Sequence, residues 1–386
     1  MPHIMTSNKN ILVVAGDASA DMHGSSLIKE LKKIDPELSI SSIGGVRMQA
    51  VSNHLIYNLV SHGAIGFSQT FKSMTLWVKL IQIIRRYLEE RKPLCVIAID
   101  FYGFNHQVLG LCKHRNIPVY YYIPPQVWAS RPGRAKTISA LAKEIFAIFP
   151  FEPEIYKKHK GNVSFFGHPL LDIIPEVKKE SREQKDQNHE WKIGILPGSR
   201  KTEIARHLPV FLDSFYEIKS VYKNARAYVF AVPEFSDKRI YDIISSVKPQ
   251  SESEIEIIRE FDYKRRAEMD FCFTCSGTAT LENALLGIPM VVAYKMPRLN
   301  YEIARRIVKI PYISLVNILL KKPVVREFIQ AKADSKHITQ EAFSIMNNPH
   351  KYASLSRELL SVKKLLGEKP VAGKIAAKIL GDFNLI

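Results

Sequence analysis

Four cysteines in 386 residues are too few for a disulfide scaffold, and they stand at 95, 112, 272 and 275. Only Cys272 and Cys275 form a Cys-x-x-Cys pair, and a four-cysteine zinc site needs a second such pair. They read as strand residues of a core, so no metal and no cofactor is expected, and the thiols should be reduced in a cytoplasmic protein. No stretch approaches the ~20 apolar residues of a membrane span. The first ten residues are polar, so no secretory signal is expected. Repeats and low-complexity tracts are absent, which argues against fibrous, disordered and solenoid chains. Acidic residues are scarce: 38 Asp and Glu face 55 Lys and Arg, a net charge of +17. Such a chain attracts polyanions, whether nucleic acid, anionic lipid or phosphorylated substrate. With no zinc-finger, RRM or KH signature, a nucleic-acid partner is not expected.

What is present is an α/β alternation. Short apolar runs at 11–15, 94–99, 119–123, 144–149 and 163–166 read as strands, most of them separated by helical patterns. Gly16 to Gly24 reads as a loop, followed by a helix over 22–33. Continuous apolar strands between helices imply a parallel sheet covered on both faces. Residues 176–190 carry many charges and one apolar side chain, a linker. The alternation then restarts, with strands at 191–196, 227–232, 255–258, 269–274 and 289–294 and helices at 203–222 and 278–286. The expected domains are 1–175, 191–333 and an amphipathic helical segment over 334–386.

Five segments at strand ends carry polar chemistry. In open α/β sheets, ligands bind beyond the carboxyl ends of strands. Asp17, Ser19 and Asp21 follow Gly16 after the first strand; they serve a ligand or cap a helix. The spacing there is not that of a dinucleotide Gly-x-Gly-x-x-Gly loop. Asp100 closes an apolar strand ahead of Asn105, as a general base or as another helix cap. Gln126, Trp128, Arg131 and Arg134 lie in a proline-fixed aromatic loop that suits a sugar, an acyl chain and a phosphate, or is simply rigid. Gly198, Ser199 and Arg200 join a strand to a long helix. They offer an anion backbone N–H groups and a guanidinium, without Walker A spacing. Ser276, Gly277, Thr278 and Thr280 make a second such turn, with Glu282 one helical turn further on. Glu282 suits vicinal ribose hydroxyls or the positive end of the helix. Finally, residues 71–87 combine apolar side chains with basic ones. This helix contacts a membrane or acyl chains through Trp77, Ile81, Ile84, Arg85 and Arg86, or is a core helix with basic ends.

Taken in order, AGDASAD (15–21), IGG (43–45), Asp100 with Phe104 and Asn105, PQVWASRPGR (125–134), GHPLLD (167–172), LPGSRKTEI (196–204), SGTATLENALLGIPMVVAYK (276–295) and SLVNIL (314–319) resemble the lipid-A-disaccharide synthase family over nearly the whole chain. That resemblance implies a GT-B fold: two Rossmann-like domains whose parallel sheets face an interdomain cleft, with a helical C-terminal tail. It implies an inverting glycosyltransferase of lipid A biosynthesis. The enzyme would transfer 2,3-diacylglucosamine from UDP-2,3-diacylglucosamine to the 6-hydroxyl of 2,3-diacylglucosamine 1-phosphate. It also implies peripheral association with the anionic cytoplasmic face of the inner membrane, and the helical tail offers a surface for self-association. Asp100 would be the base. Asp17, Ser19, Asp21, Asn105, Gln126, Trp128, Arg131 and Arg134 would serve the acceptor. Gly198, Ser199, Arg200, Ser276, Gly277, Thr278, Thr280, Glu282, Asn317 and Gln330 would serve UDP.

The chain departs from the family pattern at Asp17, where glutamate is usual, and at Ala20, where glycine is usual. Gly103 stands where a second carboxylate is usual, and Val316 where proline is usual. Two other readings compete. One is a GT-B enzyme acting on UDP-N-acetylglucosamine, which donor selectivity would separate. The other is a basic binding module without catalysis, which would bind polyanions in a salt-sensitive way without affinity for UDP.

Overall fold

The computed structural model describes residues 9–60, 70–176, 189–232, 235–248, 254–260, 262–307 and 310–385, without the side chains of 70–75. The chain divides into two compact units. Unit 1 holds residues 1–172 and 366–386, and unit 2 holds 173–365. Most of the expected linker, 177–188, lies outside the described residues.

Unit 1 is built on seven parallel strands: β1 (Asn10–Ala15), β2 (Ser39–Gly44), β3 (His54–Asn58), β4 (Cys95–Ile99), β5 (Val119–Tyr122), β6 (Glu144–Ala147) and β7 (Val163–Phe165). Their order is β3-β2-β1-β4-β5-β6-β7. The apolar runs that make β1 and β4 are wholly buried, as strands covered on both faces require. Unit 2 repeats the plan with six parallel strands: β8 (Lys192–Leu196), β9 (Arg226–Phe230), β10 (Ile255–Ile258), β11 (Phe271–Cys275), β12 (Met290–Tyr294) and β13 (Glu327–Ile329). Here the order is β10-β9-β8-β11-β12-β13. Cys272 and Cys275 are buried free thiols of β11.

Each sheet reverses its strand order once, beside its first strand: between β1 and β4, and between β8 and β11. At such a switch point the loops leave in opposite directions and open a crevice at the carboxyl ends. This is where Asp17 and Asp100 stand in unit 1, and Gly198 and Gly277 in unit 2.

Three expectations change. The segment after β1 is not a loop to Gly24: the helix Ala18–Ile34 starts at once, because the Asp17 side chain accepts from the Ala20 N–H at 2.8 Å and caps it. Strands β2, β3 and β13 were not foreseen. Three serines and a glycine mask β2, and β3 and β13 are short edge strands. The helical segment 334–386 is divided between the units. The helices Ser335–Met346 and Pro349–Ser361 belong to unit 2, whereas Val371–Gly381 packs on the helix Ala18–Ile34 of unit 1. That last helix is fastened by polar contacts. Asp172 accepts from the Val371 and Ala372 N–H groups, and Asp382 accepts from the Tyr120 hydroxyl at 2.8 Å. Lys378 pairs with Asp382 at 2.6 Å and with the buried Glu144 at 3.2 Å.

Candidate active site

Asp100 leaves β4 in an unusual backbone. Asp100 and Phe101 both adopt left-handed φ values, 45° and 43°, each costing about 1–2 kcal/mol in a residue with a side chain. The surroundings hold this turn in place. The Asp100 carbonyl accepts from the Tyr121 hydroxyl at 2.7 Å and from Asn105 Nδ2 at 2.8 Å, and its N–H donates to the Tyr122 carbonyl. Asn105 Nδ2 also donates to the Ile99 carbonyl, and its Oδ1 is buried without a partner. Gly16 is required by close approach: a Cβ there would lie 2.1 Å from the Phe101 ring. Burial, with the Asp17 carboxylate nearby, pushes the Asp100 carboxyl up to about 7, against the opposing pull of the Phe101 N–H. A carboxyl poised there can take a proton near neutrality and be reset by solvent.

The rest of the unit 1 set divides into exposed and structural members. Asp17 is half-buried, and Ser19, Gln126 and Arg131 are exposed. The Arg134 guanidinium lies 4.5 Å from the centre of the Tyr102 ring, a cation–π contact. Trp128 donates through Nε1 to Glu152, whose buried carboxylate also accepts from the Ile148 and Phe149 N–H groups. Burial raises Glu152 to about 7 despite those three donors. Asp21 is not a free acid. It is buried, and its carboxylate accepts from the N–H groups of Gly45 (2.6 Å), Arg47 (3.1 Å) and Met48 (3.1 Å). With these three bonds it fixes the turn after β2. Asn105 likewise faces the interior and holds the Asp100 turn from below.

In unit 2, Gly198 has φ 117°, and a Cβ there would meet the Glu203 side chain at 2.7 Å. Glu203, which the sequence reading overlooked, occupies the head of this loop. Its Oε2 accepts from the Ser199 N–H at 3.2 Å and the Arg200 N–H at 3.3 Å, and its Oε1 pairs with the Arg200 guanidinium at 2.6 Å. A carboxylate thus sits on the donors that would face a phosphate at the start of the helix Lys201–Val221. His207 ties the loop to β12: Nδ1 is 3.1 Å from the Pro197 carbonyl, and Nε2 accepts from the Lys295 N–H at 2.8 Å. That arrangement needs a neutral ring protonated on Nδ1, and burial holds the His207 pKa below its ordinary value.

The second turn of unit 2 exposes Gly277 and Thr278, with Gly277 at φ 143°. The Ser276 hydroxyl donates to the Ile313 carbonyl at 2.6 Å. Glu282 is held by the Tyr263 hydroxyl and by Arg266, each at 3.1 Å. Two expected nucleotide ligands are interior. Thr280 is fully buried, donating to the Gly277 carbonyl and accepting from the Leu315 N–H. Asn317 is fully buried, donating to the Val325 carbonyl and Glu327 and accepting from the Val325 N–H. Their side-chain hydrogen bonds are committed inside the protein, where they hold the turn and the segment 314–327 together. Gln330, in a left-handed backbone, holds Met296 with both ends of its amide: Oε1 accepts from the Met296 N–H and Nε2 donates to the Met296 carbonyl.

In the described part of the helix Thr70–Arg91, the apolar residues expected to face a membrane or acyl chains turn to the core. Ile84 is fully buried in the core, and Trp77 and Ile81 pack against it, with Trp77 edge-on to Phe104 at 5.5 Å. Apolar side chains of this helix lower their free energy more by filling the core than by facing water. Its outer face carries Val78, Lys79, Gln82, Arg85 and Arg86. No helix among the described residues is long and apolar enough to cross a membrane, and none of their His, Cys, Asp and Glu side chains group as a metal site.

A profile of the family described as lipid-A-disaccharide synthetase matches residues 11–377. The lipid-A-disaccharide synthase of Syntrophus aciditrophicus is 33% identical over 380 residues, covering 97% of this chain and 98% of that protein. That of Geobacter metallireducens is 33% identical over 377 residues, covering 97% of each. Among solved structures, the UDP complex of S. aureus MnaA superimposes with TM-score 0.68 at 12% identity, covering 98% of this chain and 97% of that one. MurG of Acinetobacter baumannii gives 0.55 at 13%, covering 96% and 99%. At such identities the two structures show the fold alone, a glycosyltransferase-like pair of parallel-sheet domains.

Proposed function

The chain belongs to the lipid-A-disaccharide synthetase family, and from that premise we propose that unit 1 supplies the base and the acceptor site while unit 2 holds the nucleotide. The reaction is that of lipid-A-disaccharide synthase. The 6-hydroxyl of 2,3-diacylglucosamine 1-phosphate attacks the anomeric carbon of UDP-2,3-diacylglucosamine, the bond to the diphosphate breaks with inversion, and UDP leaves. Asp100 takes the hydroxyl proton. One base and in-line geometry suffice for this inversion, and a second carboxylate such as a hydrolase uses is not needed. The family's second acid is in any case replaced here by Gly103.

Asp17, Ser19, Gln126 and Arg131 line the acceptor side, with Trp128 and Arg134 fixed by Glu152 and Tyr102. Arg131 and Arg134 suit the acceptor phosphate. In unit 2 the diphosphate takes the place of the Glu203 carboxylate, so that the Ser199 and Arg200 N–H groups and the Arg200 guanidinium meet the charge that develops as it departs. Gly277 and Thr278 add backbone donors, and Glu282 takes the ribose hydroxyls. The observation that carries this assignment is the opposite chemistry at the two switch points: a carboxyl raised to about 7 beyond β4, and a positive-φ glycine loop with an arginine beyond β8. Two lipid substrates and a charge of +17 support peripheral contact with the cytoplasmic face of an anionic membrane.

The test is UDP release from UDP-2,3-diacylglucosamine, with and without the acceptor, for the parent and Asp100→Ala. Release should require the acceptor and collapse in the variant. Acceptor-independent release would indicate hydrolysis instead, and full activity in the variant would remove Asp100 as the base.

A further inference from the structure

The helix Arg298–Ile307 follows β12 and has no buried residue along its length. Its amphipathicity is inverted for a surface helix. Tyr301, Glu302 and Ala304 are half-covered by the protein, whereas Leu299, Ile303 and Ile307 are 73%, 49% and 54% exposed. Their spacing of four places them in one stripe along the outer face. The other large apolar side chains exposed among the described residues, such as Val46, Val78 and Val221, fall on separate elements. Three aliphatic side chains aligned in water are a standing cost, and a helix that presents them needs a partner to cover them.

The charge around the stripe indicates which partner. Arg298, Arg305 and Arg306 are exposed on the same helix, and Arg306 falls beside Leu299 on the helical wheel. Glu302 is its only acid, and that side chain already pairs with Arg305 at 2.9 Å. An apolar stripe flanked by arginines matches the boundary of an anionic bilayer: aliphatic side chains enter the acyl region and guanidinium groups remain among phosphates. A protein partner would have to supply an acidic groove, whereas an anionic bilayer supplies apolar depth and phosphate together.

We propose that Arg298–Ile307 lies in the surface of anionic phospholipid membranes and anchors unit 2 there. This rests on the membrane-associated reading of the function and gives it a location apart from Trp77, Ile81 and Ile84 of the helix Thr70–Arg91, which pack in or against the core.

The experiment is sedimentation of the full chain with phosphatidylglycerol–phosphatidylcholine vesicles and with phosphatidylcholine vesicles. The variants are Leu299→Ser/Ile303→Ser/Ile307→Ser, Arg305→Gln/Arg306→Gln and, as a control, Val221→Ser. The parent should bind the anionic vesicles. The triple variant should bind roughly 100-fold more weakly with unchanged melting temperature, and the arginine pair several-fold more weakly at low salt only. The control should match the parent. A parent that ignores anionic vesicles would defeat the membrane reading as a whole. A triple variant that binds like the parent would overturn this helix as the anchor and leave that reading standing. Concentration-dependent dimers without lipid, abolished by the triple variant, would assign the stripe to a second copy and overturn the proposal.

Discussion

The two units share one plan and use it for opposite electrostatics. In each, a parallel sheet reverses order beside its first strand, and the loops leaving that point carry the chemistry. In unit 1 the loops present carboxyls on a turn with two left-handed residues that bear side chains. In unit 2 they present glycine with positive φ, backbone N–H groups and Arg200, presently engaged by Glu203. The topology fixes where the loops converge, while a few residues after β1, β4, β8 and β11 set their chemistry: carboxyls in unit 1, backbone N–H groups and an arginine in unit 2.

The comparison breaks if the two sites do not respond separately. The largest expected effect is on pH dependence. Asp100 must be ionised to accept a proton, and its carboxyl is raised to about 7. Below that value kcat/KM should fall about tenfold per pH unit, while UDP binding measured by calorimetry follows no limb with that midpoint. A limb near the ordinary carboxylate range would remove the raised acid from the mechanism.

Gly198→Ala comes next. The new Cβ meets Glu203 at a backbone φ of 117°. UDP affinity should drop by roughly tenfold or more, with the acceptor KM little changed. Equal loss for both substrates would mean that the two sites are not separable in this way.

Tyr121→Phe removes one of the two side-chain donors that hold the Asp100 carbonyl. A net hydrogen bond of about 1 kcal/mol predicts a several-fold lower kcat without a change in UDP affinity. A kcat equal to the parent's would show that Asn105 and the strand ladder suffice to hold the turn.

The smallest effects are on stability, and they should have opposite signs in the two units. A carboxyl whose pKa is raised on folding destabilises the fold progressively as pH rises from its unfolded value to its folded value. Asp100→Asn should therefore melt above the parent at pH 8, with the difference shrinking towards pH 5. Glu203 instead caps its helix and pairs with Arg200, so Glu203→Gln should melt a few degrees below the parent. Differential scanning calorimetry reads both, and a lower melting point for Asp100→Asn would contradict the burial account of its pKa.

Much of this organisation was legible in the sequence. Apolar runs identified β1 and β4, which are wholly buried, and largely apolar ones identified β8 and β11, while the motifs at their ends lie beside the switch points of the two sheets. Strand β2 was hidden by Ser41 and Ser42, polar residues that the sheet nevertheless buries. The return of the helix Val371–Gly381 to unit 1 rests on Asp172, Tyr120 and Glu144, long-range partners that no local pattern announces. Thr280 and Asn317 matched a motif, and their buried hydrogen bonds hold the loop, a task that a motif alone does not tell from direct contact with a ligand. Glu203 had a visible signal, an acid three residues after Arg200 at a helix start, which is capping-box spacing.

The most direct test of the division between the units is to measure single-turnover transfer and UDP affinity side by side in Asp100→Asn. Transfer should fall by roughly a thousandfold while UDP binds as tightly as to the parent. Transfer near the parental rate, or a matching loss of UDP affinity, would contradict a base in unit 1 acting apart from a nucleotide site in unit 2.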